Sequence, residues 1–395
     1  MNKTLRLSLA GIVVGLSAGL LLPYVQELFD TRPADELLPQ PTLELPQEGV
    51  QTDAFSLRFF HAALQQQATA DTVTVAPFTA KILLGCMAEQ FRFTGEAEQE
   101  IAATQQGIDD RDSAAPVEIG IHFMADYDLP RRADAPQTEG LPFRKDYPAA
   151  LSGFNGHLAD FFDLSYVAPH TFVSQDTRLL GQALTRYAPQ WLRSFHEVDT
   201  KQDAFDNVNG AMPQISMMRC YAPFRVAEAT DGKWKAVALF FAPQQGKGQT
   251  PVAFIGILPQ GDARSFAEQL TPQLVSEIRT ALVKAPYAPY RVELPRLNMA
   301  PTPRDLTPLL QAVGMQAPFD ARKAPFAALT DEKIALNAVA ECHSLSLKEQ
   351  GGTTAKDPLL ETDTAVFRFD RPFLWLISDL TTPTAPYFIG LVENL

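Results

Sequence analysis

Cysteine is scarce in this chain: three occur in 395 residues, Cys86, Cys220 and Cys342, far apart. At most one disulfide can form and no Cys-x-x-Cys pair exists, so a disulfide framework and a thiolate metal centre are excluded, and buried free thiols are expected. Histidine is also infrequent, at six residues. His61, His122, His157, His170 and His196 make no HExxH and no paired spacing, and no metal or other cofactor is expected. Basic charge is in deficit, 33 Lys and Arg against 46 Asp and Glu for a net charge of -13. Without a clustered basic face, nucleic acid and other polyanions are disfavoured as partners. No nucleophile-base-orienter set is present, so no catalytic residue is assigned and an enzyme is not expected. Gly15-Leu16-Ser17-Ala18-Gly19 matches a hydrolase elbow by letter, but it lies in a wholly apolar segment with no preceding strand. Internal repeats are lacking as well.

What is present is a long chain with 46% hydrophobic residues, enough to bury one large core. Residues 1–29 read as a signal peptide or an N-terminal membrane anchor. Lys3 and Arg6 precede an uncharged stretch from Leu7 to Gln26, whose apolar part, 7–25, is long enough to span a bilayer with the basic end inside. Small residues at Gly15, Ser17 and Gly19 equally suit a signal peptidase, and the recurrence of Gly11, Gly15 and Gly19 would let two such helices pair; both readings stay open. Either way the remainder is expected outside the cytoplasm, extracellular or periplasmic, and monomeric apart from any pairing of anchors. Residues 30–52, rich in proline, glutamate and glutamine, read as a tether, leaving 53–395 as the folded domain.

Within that domain, Phe55, Phe59, Phe60, Ala63 and Leu64 follow helical spacing behind Asp53. Thr72 to Val75 reads as a strand running through Pro77 into a helix to about Gln90, and Thr94 to Ile101 as a further helix. Val117, Ile119, Ile121 and Phe123 alternate with Glu118, Gly120, His122 and Met124, the pattern of a half-buried strand. Phe161 to Val167 reads as another strand. Ala236 to Ala242 and Val252 to Pro259 form a hairpin around Gly246 and Gly248, and Leu270 to Val283 is helical by period. After Glu349 comes a polar stretch to Thr364, then strand again from Ala365 to Ile377 and from Pro386 to Asn394.

The order of strand, exposed polar loop and strand resembles the serpins. Glu349-Gln350-Gly351-Gly352-Thr353-Thr354-Ala355 stands where that family keeps a glutamate-glycine-threonine hinge, and Asp370-Arg371-Pro372-Phe373 repeats its strand signature after the reactive loop. Asp176 to Leu180 with Trp191, and Gln214 to Met218, resemble the central strand, the tryptophan turn and the paired methionines. The similarity covers roughly 53–395. It implies a divergent, bacterial-type member with an α+β fold: three mainly antiparallel or mixed sheets, surrounding helices and an exposed reactive loop at about 349–366. Family members carry a helix across the main sheet just before the central strand; between Val167 and Asp176 there is no room for one, so that helix is expected to be lost.

The resemblance implies that a peptidase cleaves the loop, whose freed arm then enters the main sheet as a central strand. Such a strand buries alternate side chains and uses every backbone N–H. Here one face would be Gly352, Thr354, Lys356, Pro358 and Leu360, and the other Thr353, Ala355, Asp357, Leu359, Glu361 and Asp363. Lys356 would bury an ammonium, Pro358 would delete a ladder hydrogen bond, and Asp357 would need solvent on its face. Counting from the hinge places the scissile bond at Ala365-Val366, whereas counting back from Asp370 places it at Glu361-Thr362. The disagreement amounts to about four residues, or roughly 13 Å of reach at about 3.3 Å per residue. The hydroxyl, amide and imidazole network that gates the sheet in the family aligns with Ala76, Thr79, Ala183 and Glu341, of which only Thr79 keeps its hydroxyl; a slip of the alignment would bring in His343. These departures point to a binder or simple substrate of an extracytoplasmic peptidase with weakened insertion; the alternative is a working inhibitor of serine-type or cysteine-type endopeptidases.

Overall fold

The computed structural model describes residues 41, 43, 54–105, 116–167, 170–243, 251–323, 325–350, 364–381 and 385–395. The leader, nearly all of the tether and the loop from Gly351 to Asp363 lie outside them. No helix among the described residues is long and apolar enough to cross a membrane.

Helix α1 (Ala54–Gln66) buries Phe55, Phe59, Phe60, Ala63 and Leu64, the residues its period selects. Strand β1 (Thr72–Val75) leads into α2 (Pro77–Phe91), where Pro77 occupies the first turn and so forfeits no intrahelical bond. Helix α3 (Glu96–Ala102) has Glu96 and Glu98 in its first turn, favourable to the helix dipole. There follow β2 (Glu118–Asp126), β3 (Glu139–Leu141), α4 (Tyr147–Phe162) and β4 (Leu179–Tyr187). Strand β5 (Lys201–Ala204) and the long β6 (Gln214–Glu228) precede the hairpin of β7 (Trp234–Phe240) and β8 (Val252–Pro259). Next come α5 (Ala263–Glu268), α6 (Pro272–Lys284), β9 (Tyr287–Pro295), β10 (Leu297–Met299), β11 (Arg304–Asp305) and α7 (Thr307–Ala312). The chain closes with β12 (Ala338–Leu347), β13 (Ala365–Arg368), β14 (Phe373–Asp379) and β15 (Phe388–Val392).

The strands form a six-stranded sheet ordered β10-β12-β4-β2-β3, with β11 beside β12, and a nine-stranded sheet ordered β1-β15-β14-β8-β7-β6-β9-β13, with β5 beside β6. Hydrogen bonding is continuous through β6, which pairs with β9 from Met217 to Arg225 and with β7 from Arg225 to Glu228. Two of the three expected sheets are therefore one bonded surface. In the six-stranded sheet β12 and β4 run parallel over eight paired residues, from Ala338 opposite Leu180 to Leu345 opposite Tyr187. This seam bears on function, because the loop leaves from the end of β12. On its inner side the core includes Leu83 and Met87 of α2, Ala183 and Val339.

The expected loss of the covering helix is overturned. Residues 161–167 are not a strand, because Phe161 and Phe162 are the last turn of α4, which stops at Asp163 in the left-handed conformation (φ 55°). The helix starts at Asp146, whose carboxylate accepts a hydrogen bond from the Ala149 N–H at 3.1 Å. Ala150, Phe154, Leu158 and Phe162 recur every fourth residue and pack onto Met124, Leu180, Leu184, Ala338, Ala340 and Cys342, the outer face of the six-stranded sheet. The helix lies earlier in sequence than the spacing argument allowed for, between β3 and the turn to β4. Strand β2 is consequently covered on both faces rather than one: Phe123 faces the inner core and Met124 faces α4.

Candidate functional site

The site is the top of the β4/β12 seam, where the loop begins. Trp191 follows β4 in an extended turn and donates its indole N–H to the Lys348 carbonyl at 3.0 Å. Gln350 answers from the other strand: its side-chain oxygen accepts the Trp191 backbone N–H at 2.8 Å, its amide donates to the Pro189 carbonyl, and its own N–H donates to Phe195 O at 3.1 Å. Between them sits Glu349, its side chain 2% exposed. Arg296 Nε reaches both carboxylate oxygens, at 2.8 and 2.9 Å, and Thr200 donates to one of them. Burial works to raise the Glu349 carboxyl, but the Arg296 and Thr200 bonds outweigh it and hold it below its ordinary value. The root of the loop is thus pinned up to Gln350.

Of the hinge predicted from sequence, Glu349 is so placed. Gly351, Gly352, Thr353, Thr354, Ala355, Lys356, Asp357 and Pro358, and the candidate bond Glu361-Thr362, lie outside the described residues. The other candidate bond, Ala365-Val366, falls inside β13, paired parallel with Tyr290 and Arg291 of β9. A bond engaged in a ladder is a poor peptidase substrate. Arg368, at the end of β13, reaches Asp203 at 2.7 Å, Glu293 at 3.3 Å and Asp370 at 3.1 Å. Glu293, 1% exposed, also accepts a hydrogen bond from Arg219 at 3.1 Å and forms an ion pair with Arg291 at 2.8 Å, so one buried carboxylate ties β6, β9 and β13 together.

Lower on the seam's inner face Glu341 stands opposite Ala183 across the two strands, and the aligned gate residues make their polar contacts elsewhere. Ala76 and Ala183 are fully buried and supply only methyl groups. Thr79 of α2 instead contacts Thr185 of β4, hydroxyl to hydroxyl at 2.7 Å, and Thr185 stands opposite His343 of β12. Burial, aided by Arg304, drives His343 well below its ordinary value, so it is neutral at pH 7. Glu341, 1% exposed, is bound by Arg304 at 2.5 Å, and Arg304 also donates to the Thr74 carbonyl at 2.9 Å. An ion pair therefore stands where the aligned family position carries an imidazole, with the histidine two residues on. Sequence reasoning missed Thr185, Arg304 and Arg296, and gave Gln350, though within the hinge motif, no role of its own. Thr185 was within reach, since it shares strand parity with Ala183; the two arginines come from loops and edges and carry no local signal. Among the described residues no group of three His, Cys, Asp or Glu is placed to hold a metal.

A profile of the family described as serpin (serine protease inhibitor) matches residues 165–395, more than half of the chain. Serpin B5 of Rattus norvegicus is 21% identical over 260 residues, covering 62% of this chain and 67% of its own. The Mus musculus protein of the same name is 21% identical over 271 residues, 65% of this chain and 70% of its own. Among solved structures, uncleaved ovalbumin superposes with a TM-score of 0.74 at 17% identity, covering 87% of this chain and 100% of that one. A tumour-suppressing serpin does so at 0.69 and 18%, covering 87% and 98%.

Proposed function

The chain belongs to the serpin family, and from that premise we propose that it presents the segment at about 349–366 to an extracytoplasmic peptidase as a binder or substrate, with insertion of the cleaved arm weakened or lost. The observation that carries this reading is the doubly covered seam between β4 and β12 taken together with the charges of the arm that would have to enter it. An entering strand would break eight parallel pairs and bury both of its faces, one against the α2 side and the other beneath α4. With α4 in place, no solvated face remains for Asp357, and either Lys356 or Asp357 must be buried whichever way the arm is turned. Reach argues the same way: β13 starts at Ala365, leaving 351–363 and Thr364 to span from the pinned hinge to the sheet edge.

The proposal includes export by residues 1–29, as a cleaved signal or as an anchor through 7–25, and a monomeric domain beyond the tether. Incubation with a panel of peptidases of differing specificity tests it. Cleavage near Glu361-Thr362 with turnover, no SDS-stable adduct and an unchanged Tm is the expected result; a covalent adduct with a large rise in Tm overturns it in favour of a suicide inhibitor of serine-type or cysteine-type endopeptidases. One observation favours that second reading: β12 and β4 are parallel neighbours, so an arm folding back from the end of β12 would run antiparallel to both.

A further inference from the structure

Helix α4 is fastened to the six-stranded sheet by its apolar stripe, and beside that stripe lies a small ionisable cluster. His157 of α4 contacts Glu139 of β3, Nε2 to Oε2, at 2.7 Å. The His157 ring stands 4.7 Å, centroid to centroid, from that of His122 on β2. Cross-strand from His122 is Gln182 of β4, fully buried, with neither end of its amide hydrogen-bonded. A third histidine touches the same helix: His170 meets Asn155 at 3.0 Å and packs its ring against Phe154 and Phe172. His122 and His157 are distant in sequence, and only the docking of α4 pairs them.

We propose that His122 and His157 form a pH-dependent catch that holds α4 on the sheet near neutrality and releases it on acidification, uncovering the outer face of β2, β4 and β12. One positive charge suits the cluster, because Glu139 faces His157 directly. A second, on His122, meets a like charge at ring contact. The remaining charged groups around the pair are already engaged or point outward. Arg186 of β4 is held by Glu118 of β2 at 2.7 Å and by Asp163 at the end of α4 at 2.9 Å; Asp126 of β2 is bound by Arg178 at 2.6 Å; Asp160 of α4 is exposed. Burial, followed by the charge of His157, holds His122 below its ordinary 6.5, and burial does the same to His170. A histidine with a lowered value in the docked state stabilises docking above its ordinary value and opposes it as pH falls through the lowered one. The catch requires only that α4 sit on the sheet and is independent of the fate of the loop.

Cys342 provides the readout, since it lies on β12 within the layer covered by α4 and is 1% exposed. Labelling of the full chain with an acid-active dipyridyl disulfide at pH 7.5 and pH 5 follows its exposure, with Cys220, buried in a different layer, as the internal control. Thiolate becomes rarer in acid while the probe itself is activated, so the histidine variants, labelled under the same conditions, separate opening from reactivity. The expected result is a severalfold rise at Cys342 at pH 5 relative to pH 7.5, with Cys220 still protected. The rise should vanish in the His122→Gln, His157→Gln double variant. His157→Gln alone, at a partly exposed helix position, carries the same test if the double variant does not fold. An unchanged or slower rate at pH 5, equal acceleration of Cys220, or acceleration that survives the substitutions overturns the proposal.

Discussion

Glu349 is a buried carboxylate that is affordable only because Arg296 and Thr200 complete it. Removing Arg296 leaves the charge with one hydroxyl, and Arg296→Ala is expected to lower stability at pH 7 by about 1 kcal/mol, discounted because the arginine is partly exposed. The sign of the pH dependence follows from the lowered carboxyl. Its contribution is present above the ordinary value of 4.5 and is lost as pH falls through the lower folded value, so urea midpoints of the native protein should fall steeply in that acid range and those of Arg296→Ala less so. Thr185→Val tests the second polar contact. It strands the Thr79 hydroxyl in the core and should cost about 1–2 kcal/mol by the same measurement. Of these residues the sequence exposes Glu349 and Thr79 by their place in recognisable segments, whereas Arg296, 53 positions away from Glu349, is paired with it only by the fold.

Two elements show how packing rather than propensity sets behaviour. In β14, Trp375 is fully buried between Gly256 of β8 and Gly390 of β15, its partners in register on either side. A Cβ on Gly390 would stand 2.3 Å from the indole, and one on Gly256 would stand 2.2 Å from the Phe369 ring. Gly390→Ala should therefore destabilise by about 1–3 kcal/mol, read as a shifted denaturant midpoint, with Gly256→Ala at least as severe. Strand β13 is an edge element of four residues held at one end by Arg368. Arg368→Gln should speed hydrogen exchange of its amides at least about tenfold while the rest of the nine-stranded sheet keeps its protection. Helices α1 and α6 were legible because their apolar residues recur at helical spacing, and α2 because it follows a strand through Pro77. Helix α4 was misread because its last turn, Phe161 and Phe162 before Leu164, mimics a strand, although the four-residue recurrence from Ala150 was present in the sequence.

At the scale of the whole molecule, a covered seam is set against a loop that carries Lys356, Asp357 and Pro358. If buried charge and the missing ladder donor are what oppose insertion, Lys356→Ala with Pro358→Thr should shift the peptidase outcome toward SDS-stable adduct and higher Tm after cleavage; an unchanged partition between turnover and adduct would place the barrier in the closed seam or in the reach instead. The sequence by itself determined the family, the α+β class, the order of most elements and the anomalies within the loop, because these reside in local periodicity and in short contiguous motifs. Only the tertiary structure decided that a helix covers the main sheet, that Thr185 rather than an aligned residue meets Thr79, that Arg304 and Arg296 neutralise two buried glutamates, and that two remote histidines touch. Each of these is a contact between segments distant in the chain, and no local pattern encodes which distant side chain arrives.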